Sequence, residues 1–252
     1  MIVALIDSGL GLLPTAAWLR KLRPELDLML CLDPDHAPWG PKPQEWLVQR
    51  VVGTAAAAVG RGADVVVIPC NTASVVALEQ VREAVGPEIP VIGTVPAIKP
   101  AAAAAADVAI WATAATTASR YQADLIARFA GDARVTGVAC HGLAESIDRG
   151  DLAGIAAAID AAVARTPTEV EAVVLGCTHY PLVVDDITGR LPVRVQLFDS
   201  AEAVAAQTLR RVDGLDRPVT GSGRVEVWCS GRPGALPTSA ARFDSGRELG
   251  AA

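Results

Sequence analysis

The sequence predicts an α/β protein with two similar halves, each built on a mostly parallel sheet. Short runs of Val, Ile and Leu are apolar at almost every position, as in strands buried on both faces. Helical-length segments separate these runs, and one motif occurs twice. The predicted strands are Ile2–Ile6, Leu26–Leu32, Val65–Ile68, Val91–Gly93, Val108–Ala112, Val135–Ala139, Ala172–Leu175 and Val195–Phe198. Helical periodicity covers Leu12–Leu22, Glu45–Val59 and Ser74–Val85.

The repeated motif places one cysteine after a strand in each half. Residues 63–72, ADVVVIPCNT, align with residues 170–179, VEAVVLGCTH, so Cys70 corresponds to Cys177. Open α/β sheets bind ligands at the carboxyl ends of their strands, where both cysteines are expected. We expect a first domain, residues 1–96 plus 207–252, to carry Cys70 and a second, residues 97–206, to carry Cys177. The active site would lie in the cleft between them.

Composition excludes several classes of protein. The net charge is −6 over 252 residues and no basic stripe is present, which argues against a nucleic-acid partner. No segment resembles a signal peptide or a membrane span, so we expect a cytoplasmic protein that binds no membrane. The five cysteines include no CxxC pair, which argues against a disulfide framework and a structural metal site.

Two matched cysteines suggest proton transfer. A thiol at a strand end and helix start is favoured as thiolate by the helix dipole. Inverting a stereocentre needs a base on one face of the carbon and an acid on the other, which a pseudo-twofold pair supplies. The few lysines, Lys21, Lys42 and Lys99, lie in no evident phosphate-binding context, so a route without pyridoxal phosphate is favoured.

The cysteine motifs belong to a longer series that resembles the glutamate racemase group of the aspartate/glutamate racemase superfamily. The resemblance runs from Ile6 to about Val204 and fades in the tail. Its pieces are Asp7-Ser8-Gly9, Asp33 with Pro38-Trp39-Gly40, CNTAS at 70–74, Thr113 to Thr116 with Ser119, Val138-Ala139-Cys140, GCTHYPL at 176–182 and Asp199 to Val204.

This resemblance implies a cofactor-independent racemase that interconverts L- and D-glutamate for peptidoglycan. Cys70 and Cys177 would be the acid and base, assisted by Asp7 and His179. The partner would be a small-molecule substrate, a free amino acid; no metal would be needed, and a homodimer is left open. The positions that match substrate-binding residues of the family are Ser8, Trp39, Gly40, Asn71, Thr72, Thr113, Thr116 and Thr178.

Several departures from the family pattern concern the pocket rather than the thiols. Trp39 replaces a tyrosine, Cys140 is followed by His141-Gly142 instead of proline, and Asp148 replaces a glutamate. The tyrosine that usually follows the threonine-rich motif stands one position early, at Tyr121. Leu12 interrupts the double glycine that usually follows Asp-Ser-Gly. These changes keep open a racemase for aspartate or another amino acid. A decarboxylase would need only one cysteine, and a catalytically weak homologue with a binding or regulatory role, for example on a topoisomerase, is a further alternative.

Other polar and sulfur-containing residues are given ordinary roles. Cys31 and Cys229 lie in apolar strand patterns and are expected to pack, and Cys140 lacks the polar neighbours of the two motif cysteines. Asp148 is interpreted as a solvated helix carboxylate, and His36 has no motif that supports a site role. The tail is expected to form a late hairpin around residues 221–234, followed by a loosely held end.

Overall fold

The computed structural model describes residues 1–216 and 218–250. Contacts between Cα atoms divide the chain into two compact units. The first contains Met1–Thr94 and the chain from Ala201 onward, and the second contains Val95–Ser200. Each unit is built on its own sheet.

The described strands alternate with helices along most of the chain. The strands are β1 (Ile2–Ile6), β2 (Asp27–Leu32), β3 (Val65–Ile68), β4 (Val91–Gly93), β5 (Asp107–Ala112), β6 (Arg134–Ala139), β7 (Ala172–Leu175), β8 (Gln196–Phe198), β9 (Val225–Cys229) and β10 (Arg232–Gly234). The helices are α1 (Leu13–Leu22), α2 (Gln44–Gly60), α3 (Asn71–Val85), α4 (Ile98–Ala104), α5 (Ala114–Thr117), α6 (Arg120–Phe129), α7 (Leu143–Arg149), α8 (Leu152–Arg165), α9 (Val184–Thr188), α10 (Ala201–Asp213) and α11 (Asp244–Gly250). Short 3₁₀ turns cover Leu10–Leu12, Tyr180–Val183 and Thr238–Arg242.

The two sheets repeat one strand order. The first runs β10-β9-β2-β1-β3-β4, and the second runs β6-β5-β7-β8, so the order β2-β1-β3-β4 recurs in the second unit. All pairs are parallel except β9 with β10. The predicted α/β class with mostly parallel sheets is therefore confirmed, and β3 corresponds to β7.

The central strands are apolar throughout because helices cover both faces of the sheet. All four residues of β3 and all four of β7 are buried. In the first unit α2 and α3 pack with one face of the sheet, and α1 contacts both α10 and α11. All eight predicted strands are confirmed within one residue at either end. Most are continuous apolar runs bounded by Gly, Pro or charged residues, whereas β6 contains Thr136 and Gly137.

The tail corrects one expectation. Its hairpin is confirmed, with β9 adding parallel to β2 and β10 turning back antiparallel. The loosely held end is wrong: Phe243 and Leu249 are buried, and α11 packs against α1. Isolated apolar residues among Ala, Gly and Arg carry too weak a periodicity to predict this docking. Within the part of the chain that the structure describes, no helix has the length and apolar character needed to cross a membrane.

Candidate active site

The end of β3 presents Cys70 at the start of a long helix. Cys70 is the N-cap of the 15-residue α3 and is 8% exposed. Its carbonyl accepts the N–H of Ser74 at 2.8 Å. The Ser74 hydroxyl donates to the carbonyl of Ile68 at 2.8 Å and accepts the N–H of Thr94 at 3.0 Å. Ser74 thus fastens the first turn of α3 to the ends of β3 and β4, a role that its place in the CNTAS motif does not reveal.

Asp7 and Ser8 lie at the end of the neighbouring strand β1. Both are buried, and Oδ1 of Asp7 accepts the Ser8 hydroxyl and the N–H of Gly9, each at 3.3 Å. Because β1 pairs with β3 in parallel, these residues share one sheet edge with Cys70, Asn71 and Thr72. The first half of the predicted site is therefore gathered by the sheet itself.

A buried carboxylate organises the loop that follows β2. Asp33 accepts hydrogen bonds from Arg50, from the ring of His36 at 2.9 Å, from the indole of Trp39 at 3.0 Å and from the hydroxyl of Ser230 at 2.8 Å. Burial opposes its ionisation, but these donors outweigh burial and hold the pKa of Asp33 well below its usual range. The motif that contains Asp33 did not predict that Arg50 and Ser230 would bond to it.

This arrangement defines what Trp39 and Gly40 can offer. The Trp39 side chain is 1% exposed and gives its N–H to Asp33, so it shapes the loop rather than presenting a free donor. Gly40 is exposed on the same loop, with no atom within 4 Å of where a Cβ would stand. His36 packs against Trp46, and its Nδ1 contacts Asp33, which gives it a structural partner.

The end of β7 presents Cys177 after a glycine that the fold requires. The N–H of Gly176 donates to the carbonyl of Trp111 on β5 at 2.7 Å. A Cβ at Gly176 would lie 2.9 Å from that same oxygen, closer than real side chains approach. Cys177 follows at once and is partly exposed.

A histidine and a carboxylate accompany Cys177. Sγ of Cys177 lies 3.7 Å from Nδ1 of His179, and Nε2 of His179 lies 3.0 Å from Oδ1 of Asp148. His179 is 5% exposed. Burial would lower its pKa, but Asp148, followed by Cys177, outweighs burial and raises the pKa well above its ordinary value.

The role expected for Asp148 is therefore wrong. A solvated helix carboxylate is expected from the sequence, whereas Asp148 lies on α7 with its side chain only 25% exposed and paired to His179. The partners are 31 positions apart in the sequence, so no local pattern joins them. From α7 the short Asp148 carboxylate reaches the histidine ring directly.

The two cysteines also differ in the helices that follow them. Both were expected at helix starts, but Cys177 precedes a loop, a four-residue 3₁₀ turn and the five-residue α9. A helix this short contributes little dipole. The thiol of Cys70 thus has a helix N-terminus beside it, while Cys177 has an imidazole.

Threonines complete the edge of the second sheet. The Thr113 hydroxyl caps α5 by accepting the N–H of Thr116 at 3.3 Å, and the two hydroxyl oxygens are 2.9 Å apart. Thr113 follows β5, which pairs with β7 in parallel, so it shares a sheet edge with Cys177 and Thr178. The predicted residues of the second half are gathered in the same way as those of the first.

The remaining cysteines have environments that keep the thiol neutral. Burial raises the pKa of both Cys31 and Cys140 to about 12. Burial also raises the pKa of the partly exposed Cys229. Cys140 follows β6 at the position where Asp33 follows β2, and it lies close enough to Cys177 and Tyr180 to interact with them electrostatically.

Comparison with known proteins identifies the family. Residues 16–208 match the model of the family described as Asp/Glu/Hydantoin racemase. The chain is 35% identical over 240 residues to the glutamate racemase of Pseudomonas putida strain W619, covering 93% of this chain and 90% of that protein.

Solved structures agree with this assignment. Escherichia coli glutamate racemase, solved with L-glutamate and the activator UDP-MurNAc-ala, gives a TM-score of 0.82 at 31% identity, over 96% of this chain and 91% of that one. Glutamate racemase from Thermus thermophilus, solved with β-chloro-D-alanine, gives 0.72 at 28% identity, over 98% and 91%. The chain therefore belongs to the Asp/Glu/Hydantoin racemase family and is an isomerase of the racemase class.

Proposed function

We propose that this racemase interconverts L- and D-glutamate by two-base proton transfer between Cys70 and Cys177, without a cofactor. The observation that carries the proposal is their equivalence: each follows the third strand of the repeated order, at the carboxyl edge of its sheet. The names of the similar proteins support glutamate as the substrate. The expected domains, residues 1–96 plus 207–252 and residues 97–206, would each supply one thiol to the reaction.

The proposed chemistry balances with these two groups alone. In one direction the thiolate of Cys70 takes the α-proton and becomes a thiol, which leaves a carbanion at the α-carbon. The thiol of Cys177 then gives its proton to the opposite face and becomes the thiolate. The enzyme is left with the two protonation states exchanged, ready for the other enantiomer.

The surroundings of each thiol suit this exchange. First-turn amides of α3 favour negative charge at Cys70, because they carry the positive end of the helix dipole. His179, paired with Asp148, places Nδ1 3.7 Å from Sγ of Cys177, within reach of the proton that this thiol would exchange. Asp7, directly after the adjacent strand β1, would assist Cys70 in a different way, as a nearby acid–base group, because a carboxylate does not stabilise a thiolate by its charge.

Small polar residues at the same edges would hold the substrate. Backbone N–H groups and hydroxyls at helix starts bind carboxylates well. We assign this role to Ser8, Asn71 and Thr72 in the first half and to Thr113, Thr116 and Thr178 in the second. Trp39 and Gly40 would border the substrate through their loop.

The wider setting follows from the same proposal. A cytoplasmic racemase of this kind would supply D-glutamate for peptidoglycan, acting on a free amino acid without a nucleic-acid partner. A homodimer would be compatible with it. Aspartate or another amino acid is the alternative substrate, favoured by the shorter Asp148 and by Trp39, whose polar atom is occupied.

The test is hydrogen exchange at the α-carbon. The protein is incubated in D₂O with L- or D-glutamate, and with both enantiomers of aspartate, and deuterium and configuration are followed together. We expect deuterium to enter glutamate with inversion. Cys70→Ser and Cys177→Ser should each abolish inversion, while Cys140→Ser, a buried cysteine at a strand end, should retain it. Inversion by either serine variant would overturn the two-base proposal, and exchange confined to aspartate would overturn glutamate as substrate.

A further inference from the structure

The turn between β9 and β10 contains an unusual residue. Ser230 has φ of +51°, in the left-handed region that favours glycine, and it is followed by Gly231 with φ of +83°. Ser230 lies beyond residues 16–208, which match the family model. A serine at such a position implies that its side chain does something that glycine would not.

The Ser230 side chain fastens the tail to the loop after β2. Its hydroxyl donates to Oδ1 of Asp33 at 2.8 Å and accepts the N–H of Asp35 at 3.2 Å. Its own N–H donates to the carbonyl of Leu32 at 2.8 Å. Glycine would keep the last of these bonds and lose the other two.

Asp33 transmits this attachment to residues proposed for the substrate pocket. Its carboxylate accepts the indole N–H of Trp39 at 3.0 Å. Its backbone N–H donates to the carbonyl of Ser8 at 3.2 Å. Asp33 is 3% exposed, so the direction of its carboxylate is set by its hydrogen-bond donors rather than by water.

We propose that Ser230 is a positioning residue of the racemase: its hydroxyl orients the Asp33 carboxylate, which sets the loop carrying Trp39 and Gly40. The inference rests on the proposed function, because it assigns that loop to the substrate pocket. The C-terminal hairpin is then a functional part of the first half of the site, and not only an added edge of the sheet.

The kinetic test separates the hydroxyl from the turn. Ser230→Gly removes the hydroxyl and relieves the backbone, whereas Ser230→Ala removes the hydroxyl alone. We expect both variants to raise KM for the amino acid by about three- to tenfold, with a smaller change in kcat. Ser230→Ala should melt at a lower temperature than Ser230→Gly.

Ser222 provides the matched control on the same tail. Its hydroxyl and N–H bond to Asp27, at the start of β2 and away from the loop. Ser222→Gly should therefore leave KM unchanged. A wild-type KM in Ser230→Gly, measured on whichever amino acid proves to be the substrate, would overturn the proposal.

A spectroscopic readout does not depend on activity. The protein has five tryptophans, so five indole N–H resonances are expected, and Trp39→Phe identifies that of Trp39. The resonance should move in Ser230→Gly and Ser230→Ala and stay in place in Ser222→Gly. If the Trp39 resonance keeps its position in Ser230→Gly, the role proposed for Ser230 is wrong, even if the protein racemises glutamate. If the wild type does not racemise glutamate, the proposed substrate is wrong instead.

Discussion

His179 directs its Nε2 at Oδ1 of Asp148, 3.0 Å away, while its Nδ1 faces Sγ of Cys177 at 3.7 Å. The imidazole is buried, which alone would favour its neutral form. The carboxylate reverses that preference and holds the proton on the ring. Asp148, His179 and Cys177 thus form a row of three groups in which the imidazole stands between a carboxylate and a thiol.

Replacing Asp148 with Asn should lower the pKa of His179 and slow racemisation. Because the raised pKa belongs to the folded state, the pair stabilises the fold at pH below about 6.5 and loses this effect as pH rises through the folded-state pKa. We expect kcat to fall about tenfold to a hundredfold, with a shifted pH profile. NMR titration of the three histidines measures the pKa directly.

Asp160→Asn is the control for Asp148→Asn. Asp160 lies on α8 and pairs with Arg190 on the surface of the same unit. Its removal should change neither kcat nor the titration of His179. An unaltered His179 titration in Asp148→Asn would contradict the assigned role of the carboxylate.

Replacing Asp33 with Asn should destabilise the protein in a pH-dependent way. The ionised carboxylate accepts bonds from a guanidinium and three further donors, and the charge-assisted bond alone is worth about 2 kcal/mol. Its folded-state pKa is depressed, so this stabilisation is present above the unfolded pKa of about 3.9 and is lost as pH falls toward the folded value.

Urea unfolding at pH 7 and at pH 3 measures this difference. At pH 7 the free energy of unfolding of the variant should be lower than that of the wild type. The difference between the two proteins should be smaller at pH 3. Asp35→Asn, which weakens the exposed pair of Asp35 with Arg232 and the contact of its carboxylate with Ser230, should shift the unfolding midpoint much less than Asp33→Asn does. An equal difference in free energy of unfolding at both pH values would show that the charge of Asp33 is not what stabilises the loop.

Sequence reasoning was strongest where local pattern decides the structure. Strands β3 and β7 are continuous apolar runs that end in Pro or Gly, so both their extent and the place of the following cysteine could be predicted. The repeat predicted two equivalent sheets, since the same alternation of elements produces the same strand order.

It was weakest where partners come from distant parts of the chain. Asp148 reaches His179 across 31 positions, and Ser230 reaches Asp33 across 197. Such pairs are determined by tertiary packing, whereas hydrophobic periodicity predicts only local structure. The prediction of a helix directly after Cys177 was wrong for a local reason. The GCTHYPL segment contains Pro181, and a 3₁₀ turn forms before the short α9.

Replacing Gly176 with Ala should disturb the strand end that carries Cys177. The added Cβ would stand 2.9 Å from the carbonyl of Trp111, a backbone atom that cannot move without the sheet. We expect a loss of about 1–3 kcal/mol in the free energy of unfolding, together with a lower kcat. Chemical denaturation and steady-state racemisation measure the two effects.

Gly53→Ala is the opposite case and serves as its control. Gly53 lies within α2, with nothing within 4 Å of a built Cβ. Alanine there should raise stability by up to about 1 kcal/mol, because it favours the helix over the unfolded chain. Equal stability of the two alanine variants would mean that the contact with Trp111 is relieved at no cost.

Alkylation should separate Cys177 from Cys140, although the two thiols are close enough to interact. Iodoacetamide reacts with the thiolate, and a pKa of about 12 leaves roughly one Cys140 thiol in ten thousand ionised at pH 8. Cys140 is also only 2% exposed, whereas Cys177 is partly open to solvent beside His179. Mass spectrometry of peptides from the native protein should find label on Cys177 long before Cys140.

Unfolding in urea should make the labelling rates of Cys177 and Cys140 equal, because the difference in rate depends on the folded structure. Glutamate should slow the labelling of Cys177 if it occupies the proposed site. Equal labelling rates in the native protein would place Cys140 among the reactive thiols and would remove it as a control for the two-base mechanism.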